Sequence, residues 1–62
     1  MLTADTITDE QIRELRSVDP SARHAKRATM YARALGNAPQ ATAYQVRAAR
    51  SRCAEIWNAR TK

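Results

Sequence analysis

The sequence has no phenylalanine, and only one glycine, one cysteine and one histidine among its 62 residues. One glycine cannot build a glycine-rich loop of the kind that cradles phosphates. A single cysteine excludes an internal disulfide, and one cysteine with one histidine cannot complete a closed zinc site. The acidic residues cluster towards the N-terminus, where helix starts explain them. We therefore expect no enzyme activity, no cofactor, no metal ion and no small-molecule substrate.

Large apolar side chains are also scarce. Hydrophobic residues make up 44% of the chain, but 13 of them are alanine. So short a chain with so few large side chains has a net stability on the order of a few kcal/mol, and we expect it to form a dimer or to bind a partner. No apolar run approaches the ~20 residues that span a bilayer, and no secretory pattern is visible. These features indicate a reducing cytoplasm and no membrane.

Helix start and stop signals divide the chain into segments. Thr8 and Gln11 have the spacing of a capping box, which predicts the start of a first helix. Asp19 followed by Pro20 is typical of a second helix start, because Asp caps well and Pro is tolerated at the first helical position. Gly36 predicts the end of that helix. The long segment that follows has apolar residues at spacings of three and four, which predicts a third helix.

These signals predict an all-α fold in which a short first helix is followed by a hairpin of two longer helices. No segment has the alternating pattern of a strand. The expected elements of this single small domain, residues 1–62, are a flexible lead over 1–6 and helices over about 8–17, 20–35 and 39–59.

Positive charge is concentrated after the first helix. Residues 1–19 carry a net charge of −3 and residues 20–62 a net charge of +8. Four cations of the second predicted helix share one face of a helical wheel: Arg23, Lys26, Arg27 and Arg33. Such a face suits successive phosphates of DNA or RNA, and we expect Arg47 and Arg50 of the third helix to assist. It is equally typical of a solvated surface that binds nothing.

A protein-binding role is the alternative. Ile56 and Trp57 end the apolar stripe of the third helix, where Trp57 is either part of the core or an interface anchor. Together with the arginines they suit the acidic surface of a host protein, so the chain would be a dimeric adaptor or inhibitor. Tyr44 lies opposite the stripe and is expected to be exposed, either as a base-stacking residue or as an ordinary surface tyrosine. Cys53 lies on the stripe and is expected to be buried as a small hydrophobe.

Two parts of the chain resemble known proteins. The spacing of Ala32 and Gly36, followed by Thr42, Tyr44 and Val46, resembles the turn and recognition-helix start of a helix-turn-helix motif, which implies DNA binding. The segments Ile7–Arg16, Arg33–Gly36 and Arg52–Arg60 are similar to short uncharacterised proteins of bacteriophages and prophages. That resemblance implies a small, helical, non-enzymatic accessory protein of a phage or mobile element in the cytoplasm of a bacterial host cell. It implies no particular site residues.

Overall fold

The fold consists of three α-helices and one short 3-10 helix. The computed structural model describes residues 1–60, in which α1 is Asp9–Val18, the 3-10 helix is Pro20–Arg23, α2 is Ala25–Ala34 and α3 is Ala43–Arg60. Residues 1–60 contain no strand, so the all-α class is confirmed. Helices α1 and α2 each have 10 residues and α3 has 18, so the expectation that the second helix would be longer than the first is wrong. Within the same residues, no helix is both long and apolar enough to cross a membrane.

Helix α1 begins with the predicted capping box. The Gln11 backbone N–H donates to Thr8 Oγ1 at 3.2 Å, and the Thr8 backbone N–H donates to Gln11 Oε1 at 2.9 Å. The first turn carries Asp9 and Glu10, which the positive end of the helix dipole stabilises. Both hydrogen bonds of the capping box are present, so this helix start is confirmed as predicted.

The helical conformation is interrupted at His24, so the prediction of one helix over residues 20–35 is wrong. Asp19 caps the 3-10 helix by accepting from the Ser21 backbone N–H at 2.8 Å, and its other oxygen accepts from the Tyr31 hydroxyl at 2.7 Å. A continuous α-helix would place Tyr31 roughly 18 Å beyond Asp19 along its axis. Extended backbone at His24, with ψ of 141°, turns the chain so that α2 brings Tyr31 back to Asp19.

Helix α2 ends at the predicted glycine. Gly36 has a φ of 73°, a left-handed conformation that glycine adopts without steric cost. The Gly36 backbone N–H donates to the Arg33 carbonyl at 2.9 Å, and that of Asn37 donates to the Ala32 carbonyl at 2.8 Å. This pair of bonds is the Schellman motif, which satisfies two carbonyls at the helix end.

Helix α3 begins at Ala43, so the prediction that it starts at Pro39 is wrong. A second capping box sets the start, because Thr42 and Gln45 exchange backbone-to-side-chain hydrogen bonds, both of 3.1 Å. Pro39 lies instead in the turn that precedes this cap. Residues 35–42 connect α2 to α3, a longer connection than the turn of about 3–4 residues in a helix-turn-helix motif.

One cluster of buried side chains holds the helices together. It contains Ile7, which precedes α1, and residues from all three α-helices: Ile12, Leu15, Tyr31, Ala34, Ala49, Cys53 and Ala54. Tyr31 is the largest fully buried side chain. Three of the buried residues of α2 and α3 are alanines, and side chains this small let helix axes approach closely.

The N-terminal segment has specific contacts, contrary to the expectation of a flexible lead over residues 1–6. The Leu2 backbone N–H donates to Asn58 Oδ1 at 2.9 Å, and Asn58 Nδ2 donates back to the Leu2 carbonyl at 2.8 Å. The Ile7 N–H closes a turn onto the Thr3 carbonyl at 3.0 Å. Residues 1–6 are therefore attached to α3, although nothing in their own composition predicts it.

Candidate nucleic-acid interface

The four cations predicted to form one face of the second helix are divided in the structure. Arg23 belongs to the 3-10 helix, on the far side of the break at His24, and borders a surface depression that Arg16 also lines. Lys26 and Arg33 lie on α2 and border a different depression. The predicted single row is therefore not formed, because Arg23 lies on a different helix from the other three cations and does not share their helix face.

Arg27 is turned towards Asp19. Its Nε lies 3.4 Å from Asp19 Oδ2, and its side chain is 35% exposed. The pKa of the Asp19 carboxyl is lowered, chiefly because it accepts the hydrogen bond of Tyr31, with smaller contributions from Ser21 and Arg27. Burial and the same hydrogen bond raise the pKa of Tyr31. This cluster joins the 3-10 helix to α2, so Arg27 is partly occupied within the chain.

Arg47 and Arg50, the two cations expected to assist from the third helix, bind the N-terminal segment. Arg47 forms a two-bond pair with the Asp5 carboxylate, at 2.6 and 3.1 Å, which lowers the pKa of Asp5 and raises that of Arg47. Arg50 donates to Asp9 Oδ1 at 2.8 Å and to three backbone carbonyls, those of Ala4, Ile7 and Ala34. Arg50 is thus a structural residue. Arg47 can bind a ligand with its guanidinium only when its ion pair with Asp5 opens.

Three exposed cations, Lys26, Arg33 and Arg52, border one groove between α2 and α3, here called the α2–α3 groove. Its volume is about 200 Å³, and its lining includes Lys26, Met30, Arg33, Tyr44, Gln45 and Arg52. Within residues 1–60, neither Lys26 nor Arg33 takes part in an ion pair. Arg52 lies 3.6 Å from Glu55, but both side chains are about two-thirds exposed and the pair is weak. The groove is therefore a concave surface, lined by residues of both helices, on which positive charge is not neutralised.

Tyr44 is the aromatic residue of this groove. It lies in the first turn of α3 and is 81% exposed, which confirms the prediction that it points away from the core. Its ring is available to a ligand on the same surface as Lys26 and Arg33.

Arg52 was not predicted as a site residue, and Tyr44 was predicted to be exposed either as a base-stacking residue or as an ordinary surface tyrosine. A signal was present, because Lys26 and Arg33 are two helical turns apart, and Tyr44 and Arg52 are eight residues apart on one side of α3. Each spacing places its pair on one face of its own helix. That the two faces border one groove depends on the packing of α2 against α3, which no spacing within either helix specifies.

The predicted interface residues are half-buried. Ile56 and Trp57 pack against the core cluster, and the Arg60 guanidinium lies 5.0 Å from the centre of the Trp57 ring. A cation over an aromatic face is itself stabilising. Trp57 is therefore largely engaged within the chain, with less surface to offer a protein partner than an unpacked indole has.

Neither candidate for nucleophilic or metal chemistry lies in a site. Cys53 is fully buried as predicted, and burial raises the pKa of its thiol to about 11. His24 is exposed at the helix break, and residues 1–60 contain no group of three His, Cys, Asp or Glu side chains able to hold a metal ion. Comparison of the chain with protein-family models, curated proteins and solved structures finds no match. The resemblance to phage proteins therefore stays a prediction.

Proposed function

We propose that this protein binds nucleic acid through the α2–α3 groove and catalyses no reaction. The observation that carries the proposal is the shared lining of one groove by Lys26, Arg33, Arg52 and the exposed ring of Tyr44. Cationic side chains bind phosphates, and an exposed aromatic ring stacks on bases. In this proposal α2 and α3 act as a helical hairpin that presents the groove.

The distribution of ion pairs supports this location. Three pairs join carboxylates of residues 1–19 to arginines of α3, namely Asp5 with Arg47, Asp9 with Arg50 and Glu14 with Arg60. The acidic N-terminal part thereby neutralises the positive charge on its own side of α3. The lining of the α2–α3 groove contains three cations and no carboxylate, so its positive charge remains.

The same cations suit an acidic protein surface, which is the alternative function. Tyr44 favours nucleic acid, because its exposed ring lies among the cations, as in sites where bases stack. The residues expected to anchor a protein partner, Ile56 and Trp57, are half-buried against the core cluster and so have less surface to offer.

Fluorescence anisotropy of labelled oligonucleotides at several salt concentrations tests the proposal. The variant Lys26→Gln/Arg33→Gln removes two groove charges. Its matched control, Arg13→Gln/Arg16→Gln, removes two exposed charges of α1 that form no ion pair within residues 1–60. Both variants have the same net charge, so they differ only in where charge is lost.

We expect the groove variant to bind the oligonucleotide weakly. The slope of log K against log salt concentration should become shallower by about 1.4 for a single strand, because two phosphate contacts are lost. The control should keep most of the affinity. Equal losses in both variants would show that binding follows net charge and not the groove. Absence of binding by the unmodified protein at low salt would refute the proposal itself.

A further inference from the structure

The shape of the α2–α3 groove restricts the kind of nucleic acid that fits it. Its cations come from two different helices and line a shared depression of about 200 Å³. Proteins that recognise the sequence of duplex DNA insert a projecting α-helix or β-ribbon into a major groove ~12 Å wide. A depression of this volume cannot enclose a duplex, whereas it can receive an unpaired base of a single strand.

The length of the groove sets how many nucleotides it holds. Tyr44 and Arg52 mark its extent along α3, and eight residues of helix span about 12 Å at 1.5 Å per residue. Stacked nucleotides rise about 3.4 Å each along one strand. The length of the groove therefore matches about three nucleotides lying along it, with one aromatic ring at the Tyr44 end.

The polar groups of the groove are mostly donors. Lys26, Arg33 and Arg52 donate and cannot accept. Gln45 Oε1 already accepts from the Thr42 backbone N–H at 3.1 Å, so the side-chain amide of Gln45 presents its NH₂ group to a ligand. Phosphate oxygens and the acceptor atoms of unpaired bases are the groups that complement such a lining.

We propose that the α2–α3 groove binds a single-stranded segment of about three nucleotides, with one base stacked on Tyr44 and the phosphates bound by Lys26, Arg33 and Arg52. This inference rests on the proposed function and makes it more specific. The apolar surface between the cations, which Met30 helps to form, receives the faces of the neighbouring bases.

The test compares Tyr44→Ala with Tyr44→Phe, which keeps the ring. Tyr44 is 81% exposed, so neither change should unfold the protein, and circular dichroism checks this. The probes are a short labelled oligothymidylate, a duplex of the same length, heparin and polyglutamate. Heparin supplies negative charge without bases, and polyglutamate stands for an acidic protein surface.

We expect the oligothymidylate to bind more tightly than the duplex, Tyr44→Ala to weaken it about tenfold and Tyr44→Phe to leave it nearly unchanged. Duplex and heparin binding should not depend on the ring. Tighter duplex binding, or equal single-strand affinity in Tyr44→Ala, would overturn this inference while the proposed function stands. Polyglutamate bound as tightly as the oligothymidylate would overturn it in favour of an acidic protein. Failure of every oligonucleotide to bind at low salt would refute the inference and the proposed function together.

Discussion

Arg50 makes more polar contacts between segments than any other side chain in residues 1–60, and replacing it by lysine is the sharpest test of the fold. Its Nε donates to the Ala4 carbonyl at 3.3 Å, and its Nη1 donates to Asp9 Oδ1 at 2.8 Å and to the Ala34 carbonyl at 3.0 Å. Its Nη2 donates to the Ile7 carbonyl. One guanidinium thus joins the lead, the start of α1 and the end of α2 to α3.

Arg50→Lys keeps the positive charge but loses the planar fork. A lysine ammonium is a single point with three donors and cannot reach acceptors on all these segments at once. The side chain is 22% exposed, so the carbonyls left without a partner are partly buried. If two charge-assisted bonds are lost at about 1–2 kcal/mol each, the variant loses about 2–4 kcal/mol of unfolding free energy. That is most of the stability expected for a domain of this size, about 3–5 kcal/mol.

Thermal unfolding followed by circular dichroism measures the effect. A loss of about 2 kcal/mol corresponds to a fall in Tm of about 15 °C for so small a domain. The matched control is Arg47→Lys, because Arg47 lies on the same helix and pairs with Asp5 where both side chains are about two-thirds exposed. We expect its Tm to be almost unchanged, since exposed ion pairs contribute little. Equal Tm values for the two variants would refute the assignment of Arg50 as a structural residue.

Three further predictions concern the core and self-association. Tyr31→Phe should lower the free energy of unfolding, measured by chemical denaturation, by about 1–3 kcal/mol. The Tyr31 hydroxyl is the main cause of the lowered Asp19 pKa, so the unmodified protein has stability that is present above pH 3.8 and is lost as the pH falls below it. That loss should be smaller in the variant, and an unchanged dependence of stability on pH below 3.8 would contradict this. Cys53, fully buried with a thiol pKa of about 11, should react with a disulfide reagent at pH 8 at least ~100-fold more slowly than in denaturant, whereas equal rates would place it at the surface. The Tm should rise with protein concentration if the chain forms a dimer, and a constant Tm with a monomer mass in sedimentation would exclude one.

Helix ends were the features most readily predicted. The capping box of Thr8 and Gln11 and the end of α2 at Gly36 were both expected from the sequence and are both present, the latter as a Schellman motif. Their partners lie within five residues of one another, so the residue types and their spacing suffice to specify them. The second capping box, Thr42 with Gln45, was equally visible in the sequence, but Pro39 suggested an earlier start.

The break at His24 could not be predicted from local signals. Residues 20–35 contain no glycine or second proline that would interrupt a helix. The break is explained by the Asp19 carboxylate and the buried Tyr31 hydroxyl, which lie 12 residues apart and meet because the chain turns between them. A buried hydroxyl needs a hydrogen-bond partner, and that requirement depends on the tertiary environment of Tyr31.

The sequence alone determined the all-α class, the unequal distribution of charge and the helix caps, because these depend on composition or on neighbours along the chain. Only the tertiary structure decided which cations are available. Arg47 and Arg50 meet carboxylates 42 and 41 residues away, while Lys26 and Arg33 meet Tyr44 and Arg52 across the α2–α3 groove. Helical periodicity assigns a side chain to a face of its own helix, but the partner of that face depends on how the helices pack.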